Sequence, residues 1–200
     1  MKQIVITKAG SPDVLQLQEK PDPQPKAGEL LIRVRAAGIN FADILARKGM
    51  YPDAPKLPCV VGYEVSGVVE SVGEGVDSSW IDKPVIALTR FGGYSDVVVV
   101  PEHQVFEKSD KLSFDEAAAI PVNYVTAWQL LVAMGGLQEK ETVLVHNAGG
   151  GVGLAALDII KHFGARAIGT ASTGKHDFLK QRGYDHLIDY RTQDWSKALQ

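Results

Sequence analysis

The stretch of this chain best suited to chemistry is the glycine-rich run His146-Asn147-Ala148-Gly149-Gly150-Gly151-Val152-Gly153. Glycine carries no side chain, so such a run leaves backbone N–H groups open to an approaching group. A dinucleotide pyrophosphate needs that kind of surface: it rests on the free N–H groups and positive end of a helix N-terminus, where side chains would hold it away. Gly150 and Gly153 occupy the second and third glycine places of G-x-G-x-x-G, and Ala148 stands in the first. Ala148, Gly149, Gly150, Gly151 and Val152 are therefore the candidate pyrophosphate contacts. A turn serving only close packing would use the same residues, so the flanking sequence has to separate the two readings.

The flanks favour a nucleotide. Val143-Leu144-Val145, just before the run, has the β-branched apolar character of a buried parallel strand. After it, Val152, Ala155, Ala156, Ile159, Ile160 and Phe163 recur at helical spacing, and Gly164 sits where a helix stops. A second strand-like run, Arg166 to Thr170, follows. The end of that strand selects the nucleotide. An NAD site places Asp or Glu about 20 residues beyond the glycines, for the ribose hydroxyls. Here the chain reads Thr170-Ala171-Ser172-Thr173-Gly174-Lys175, with no carboxylate. A hydroxyl and an ammonium welcome a 2′-phosphate that an acid would repel. Ser172 and Lys175 supply them, and Tyr190, after the next strand, adds a donor. NADPH is the expected cofactor, although a solvated surface lysine would look the same at position 175.

Composition bounds the rest. Two hundred residues make one large domain or two small ones, and 45% apolar with 22% charged residues is ordinary for a soluble globular protein. A net charge of −3, with no Lys/Arg cluster, gives no electrostatic reason to expect nucleic acid. The single Cys59 rules out an intramolecular disulfide and a cysteine-rich zinc cluster, and suits a reducing, cytoplasmic setting. The N-terminal apolar run is too short for a signal peptide. Ala117 to Gln138 carries no charge and is long enough to cross a bilayer, but Pro121, Asn123, Thr126 and Gln129 interrupt it. A buried helix, not a membrane span, is expected there.

Short strands precede it: Ile4–Ile6 and Val14–Leu17 around the turn Gly10-Ser11-Pro12-Asp13, then Leu30–Arg35, Val65–Val72, Val85–Leu88 and Tyr94–Val100. Asn40 to Lys48 is a short helical pattern closed by Gly49, and the spacing of the strands predicts a compact β-barrel-like domain. Ser113-Phe114-Asp115-Glu116 is a capping box that opens a helical connection to Met134, broken near Pro121. Leu187–Tyr190 is a third strand of the nucleotide unit, and a helix begins near Asp194. Only the first of the two βαβαβ halves of a dinucleotide fold is present, so the chain reads as a truncated form, or one part, of a longer enzyme.

Ala37-Gly38-Ile39-Asn40-Phe41-Ala42-Asp43, Gly62-Tyr63-Glu64, Pro121-Val122-Asn123-Tyr124-Val125-Thr126-Ala127, the Val143–His146 run with its glycine loop, and Asp189-Tyr190-Arg191 together carry a resemblance. The chain resembles the zinc-free quinone oxidoreductase branch of the medium-chain dehydrogenase/reductase superfamily, over nearly its whole length. Gly169-Thr170-Ala171-Ser172 with Lys175-His176 looks most like the synaptic-vesicle-membrane-protein group within that branch. The resemblance implies an α/β plus β chain: a GroES-like β-barrel domain over residues 1–122, then the first half of a Rossmann-like parallel sheet over 123–200. It implies an active site in the cleft between them, and a homodimer in the full-length protein, formed largely through the half that is absent here. Zinc-dependent relatives carry Cys where Asn40 stands, His where Tyr63 stands and Cys where Val122 stands. Asparagine, tyrosine and valine cannot make a tetrahedral N/S zinc site, so no metal is expected.

Without a zinc Lewis acid for alcohol oxidation, the chemistry expected is hydride delivery from NADPH to an electrophilic small molecule, a quinone or an α,β-unsaturated carbonyl. By family position Asn40 and Tyr51 face the acceptor as hydrogen-bond donors, and Thr126 lies near the nicotinamide. Each has a plainer role open to it: Asn40 as an N-cap, Tyr51 as loop packing, Thr126 bonding its own helix, Tyr63 filling the space of the absent zinc. No residue stands out as general acid. A short-chain dehydrogenase would need Tyr-x-x-x-Lys, which no tyrosine here supplies, and a methyltransferase usually wants the acid that the second strand lacks. An NADPH-bound structural or adaptor protein with little turnover stays open, because fold alone does not give function. These 200 residues by themselves are expected to be weakly active or inactive.

Overall fold

The computed structural model describes residues 1–198. The chain divides into two compact units, Met1–Val122 and Asn123–Gln200.

The first unit is built on antiparallel strands. β1 (Lys2–Ile6) and β2 (Leu15–Glu19) form a hairpin with Ile4 opposite Leu17. β3 (Glu29–Ala37), β4 (Glu64–Val72), β5 (Pro84–Leu88), β6 (Val97–Pro101) and β7 (Val105–Glu107) form a five-stranded sheet in the order β6-β3-β4-β5-β7. Their β-branched and leucine side chains supply one core, in which Leu30, Ile32, Val65, Val69 and Val85 are fully buried. The register of β3 on β4 slips between Leu31 and Ile32 and again between Val34 and Ala36. Such bulges bend a strand and raise its twist, as a closing barrel requires. The helix α1 (Phe41–Arg47) leaves the end of β3, and a smaller core of Ile6, Val14, Ala46 and Val61 packs around it. β7 was not expected from the sequence; at three residues it is too short for its alternation to be read.

The helix α2 (Phe114–Ala118) starts as its capping box predicts: the Glu116 N–H donates to the Ser113 hydroxyl, and the Ser113 N–H donates to the Glu116 carboxylate. The unit boundary falls in the first turn of α3 (Pro121–Trp128), which runs into a π-helical turn, Gln129–Met134. The expectation of a buried helix here is corrected. Phe114–Met134 has the length and hydropathy of a membrane-crossing helix, yet only 22% of its apolar 18-residue stretch is buried, and Val125, Trp128 and Met134 are half exposed or more. Pro121 interrupts the rod, having no N–H for the preceding turn. Beyond it, only one stripe, including Ala127 and Leu131, reaches the core of the second unit.

That second unit is a parallel sheet in the order β10-β9-β8, made from β8 (Thr142–Val145), β9 (Arg166–Thr170) and β10 (His186–Ile188). α4 (Gly151–His162) connects β8 to β9, α5 (His176–Arg182) connects β9 to β10, and α6 (Trp195–Ala198) follows. The apolar face of α4, with Ala155, Ala156, Ile159 and Ile160 buried, covers the sheet. This is the strand–turn–helix–strand arrangement expected from residues 143–170.

Candidate functional site

In the second unit the glycine turn sits between the end of β8 and the start of α4. The Ala148 N–H donates to the Thr170 carbonyl at 3.0 Å, which fastens the turn to the end of β9. Asn147 adopts a left-handed backbone (φ 53°), and the Gly150 N–H closes back on its carbonyl at 2.9 Å. Gly150 is the N-cap of α4 and, as glycine, offers no capping side chain to the first N–H groups of that helix. A β-carbon on Gly153 would lie 2.6 Å from the Asn147 carbonyl oxygen and 2.7 Å from that of Ala148. Only glycine lets the helix approach the turn this closely. Ala148 is fully buried, so its methyl shapes the turn and does not line an open surface.

The groups expected to read the nucleotide gather at the far ends of β9 and β10. The Lys175 stem crosses the turn: its Cδ stands 2.8 Å, and its ammonium 3.5 Å, from where a Gly149 β-carbon would be. Ser172 heads the short turn Thr173–Lys175, and its hydroxyl caps nothing. Asp189, at the end of β10, fixes that turn by accepting from the Thr173 N–H at 3.1 Å and from the Thr173 hydroxyl. The Thr173 hydroxyl first, then the Arg191 N–H, hold the Asp189 carboxyl below its ordinary range. Tyr190 is exposed, with the Arg191 guanidinium 5.8 Å from its ring. A cavity of about 250 Å³ beside the turn is lined by Leu130, Val145, His146, Asn147 and Val152 among others. Thr126 is half-buried on α3, next to Ala127 of the same lining.

The first unit brings Asn40 into a buried polar cluster. Asn40 heads α1, and its backbone N–H donates to the Asp43 carboxylate at 2.8 Å, so the plain N-terminal role is fulfilled. Its side chain does more. Nδ2 donates at 2.8 Å to Glu64 Oε1, and Glu64 Oε2 accepts from the Val122 N–H at 2.8 Å. Glu64 is 1% exposed, and burial pushes its carboxyl up against the pull of those two donors. Asp43, also buried, accepts from the Gly62 N–H at 3.1 Å and the Tyr94 hydroxyl at 3.0 Å; burial likewise raises it. Gly38 makes room for the cluster, because a β-carbon there would overlap the Glu64 carboxylate. Tyr51 and Tyr63 meet edge to face, ring centres 6.4 Å apart, and Phe91 packs on Tyr63 at 5.3 Å.

Glu64 and Asp43 were not singled out from the sequence. The available signals were a carboxylate heading the valine-rich strand β4, and an acid three residues after Asn40. Both suggest capping or a surface position until the fold buries them. Among the described residues, no group of three or more His, Cys, Asp or Glu is arranged to hold a metal ion.

Residues 26–110 match the alcohol dehydrogenase GroES-like domain. The chain is 43% identical over 200 residues to the synaptic vesicle membrane protein VAT-1 homolog of Danio rerio, covering 99% of this chain and 41% of that protein. It is 34% identical over 194 residues to the quinone oxidoreductase of Homo sapiens, covering 96% of this chain and 59% of that one. Its fold superposes on the quinone oxidoreductase of Escherichia coli complexed with NADPH with a TM-score of 0.92, at 33% identity, over 100% of this chain and 61% of that chain. The chain is thus similar, over nearly its whole length, to quinone oxidoreductases of the medium-chain dehydrogenase/reductase fold. It comprises a GroES-like domain and part of a Rossmann-like sheet, and it spans about half the length of the curated relatives it matches, 41% and 59% of the two named above.

Proposed function

We propose that this chain belongs to an NADPH-dependent, zinc-independent reductase of quinones or α,β-unsaturated carbonyls. The observation that carries the reading is the β8–α4 turn, where the start of α4, headed by Gly150, and the Lys175 side chain lying against Gly149 come together. Two features support a dinucleotide phosphate here: the start of α4 is headed by a glycine without a capping side chain, and the Lys175 cation lies against Gly149. In this reading Gly149, Gly150, Gly151 and Val152 contact the pyrophosphate, Ala148 shapes their turn, Ser172, Lys175 and Tyr190 hold the 2′-phosphate, and Thr126 lies near the nicotinamide. The cofactor supplies a hydride to the acceptor carbon. The protein's part is to orient the acceptor and to stabilise its oxygen as negative charge develops.

Asn40 and Tyr51 are the proposed donors to that oxygen. Glu64 takes one amide N–H of Asn40, which fixes the side chain and leaves the second N–H for the acceptor. Zinc independence is supported by the donor set at positions 40, 63 and 122, which lacks sulfur and imidazole. A cytoplasmic setting and a homodimer belong to the same proposal. A second reading, a nucleotide-bound adaptor with little turnover, is favoured by the vesicle membrane protein names among the relatives.

The deciding experiment is NADPH consumption with benzoquinone and with a simple enone, using the chain extended by its natural C-terminal sequence. Saturable turnover that prefers NADPH to NADH establishes the reductase. NADPH binding without turnover on either acceptor moves the conclusion to the adaptor.

A further inference from the structure

The turn Thr173–Lys175 carries the cation assigned to the 2′-phosphate, yet none of its residues is buried, and a β-carbon on Gly174 would stand in open space. A lysine on a flexible four-carbon stem places its charge only as well as its backbone is placed. What fixes this turn is polar. Asp189, only 6% exposed at the end of β10, accepts at Oδ2 from the Thr173 N–H at 3.1 Å and from the Thr173 hydroxyl. Its Oδ1 accepts from the Arg191 N–H at 2.9 Å. Asp189 is itself held: its N–H donates to Gln193 Oε1 at 3.0 Å, and its carbonyl accepts from the Gln193 N–H at 2.8 Å. Just after the turn, His176 Nε2 lies 3.1 Å from the Ala171 carbonyl oxygen.

We infer that Asp189 is a positioning residue for nucleotide choice: its carboxylate fixes the two segments that carry Ser172, Lys175 and Tyr190, the groups assigned to a 2′-phosphate. The inference rests on the NADPH reading above and adds the residue that builds its site. One oxygen holds the residue between Ser172 and Lys175 on the first segment, and the other holds the residue after Tyr190 on the second. A buried carboxylate is costly unless it is hydrogen-bonded, and this one takes three donors from those segments. Bonds to an ionised acceptor are the strong ones. The acid of an NAD site binds ribose hydroxyls, whereas Asp189 binds the protein's own backbone and a threonine hydroxyl. It acts on the nucleotide through the groups it places, without touching it.

The test is fluorescence titration of Asp189→Ala with NADPH and with NADH, in the chain extended by its natural C-terminal sequence. The expected result is roughly 10- to 100-fold weaker NADPH binding, the worth of a hydrogen bond to a charged group, with NADH binding unchanged. Asp189→Asn keeps an oxygen for the two Thr173 donors and is expected to retain the NADPH preference. Equal losses for both nucleotides in Asp189→Ala overturn the role, since a merely structural residue would weaken them together. Tighter NADPH binding by Asp189→Asn also overturns it, because the carboxylate would then act on the phosphate by its charge. Should Asp189→Ala fail to fold, Thr173→Val decides, removing one donor and leaving the carboxylate in place. Selective weakening of NADPH sustains the role, and an unchanged preference rejects it. A wild type that binds both nucleotides alike, or neither, refutes the NADPH reading and the role with it. A wild type that prefers NADPH, with equal losses in Asp189→Ala, refutes the role alone.

Discussion

Lys175 and Glu64 show how single side chains acquire roles from where the fold puts them. Lys175 is exposed and would pass for a solvated lysine, but its stem lies on Gly149 of the glycine turn, the proposed phosphate site. Lys175→Glu is expected to weaken NADPH binding at least tenfold and NADH binding much less, because only NADPH brings a phosphate to be repelled. Fluorescence titration with the two nucleotides measures this, and equal losses would remove Lys175 from the phosphate site. Glu64 is a carboxylate that the folded protein holds more readily as the acid, since burial raises it above its unfolded value. The sign follows: the stability it contributes is complete below the ordinary carboxylate range, about pH 4, and is lost as pH rises through the higher folded value. Denaturation of the first unit followed over that window should show a decline with pH that is shallower in Glu64→Gln. A slope identical in the two proteins would show that Glu64 does not titrate there.

At the scale of elements, close approach of backbones matters more than side-chain chemistry. Gly153 lets α4 sit down on the Asn147 and Ala148 carbonyls, and Gly38 lets the end of β3 pass over Glu64. Gly153→Val should cost on the order of 1–3 kcal/mol of stability in the second unit through overpacking, and should abolish nucleotide binding by displacing the helix N-terminus from the turn. Thermal unfolding together with nucleotide titration checks both halves, and a variant that binds normally would mean the turn tolerates the displacement. Ser113 belongs at this scale too. Ser113→Ala removes a capping-box hydroxyl and should destabilise α2 by about 1 kcal/mol, read from the denaturation midpoint of the first unit.

The whole molecule has a separate core in each unit, β-branched in the first and helix-on-sheet in the second. Separate cores favour separate unfolding transitions. A ligand that binds one folded unit raises the stability of that unit by about 2.7 kcal/mol at a hundredfold excess over Kd. NADPH should therefore shift one of two calorimetric transitions of the chain, the one that Gly153→Val lowers, and leave the other in place. A shift of both would mean that the units unfold together.

Sequence by itself determined the parts governed by neighbours along the chain. The glycine turn between Val145 and Leu154, the capping box at Ser113, the helix opened by Asn40 and most of the strands were legible, because backbone torsions, capping and periodicity act within a few residues. The same short range explains why the break at Pro121 could be foreseen. Exposure of Val125, Trp128 and Met134 could not be, since burial depends on what packs against a helix face. Tertiary structure alone decided the polar cluster of the first unit. Asn40 reaches Glu64 across 24 residues, Tyr94 reaches Asp43 across 51, and Val122 reaches Glu64 across 58. No local rule brings such pairs together. Only the fold, by burying both carboxylates against these partners, gathers residues that read as caps and core fillers into one polar cluster.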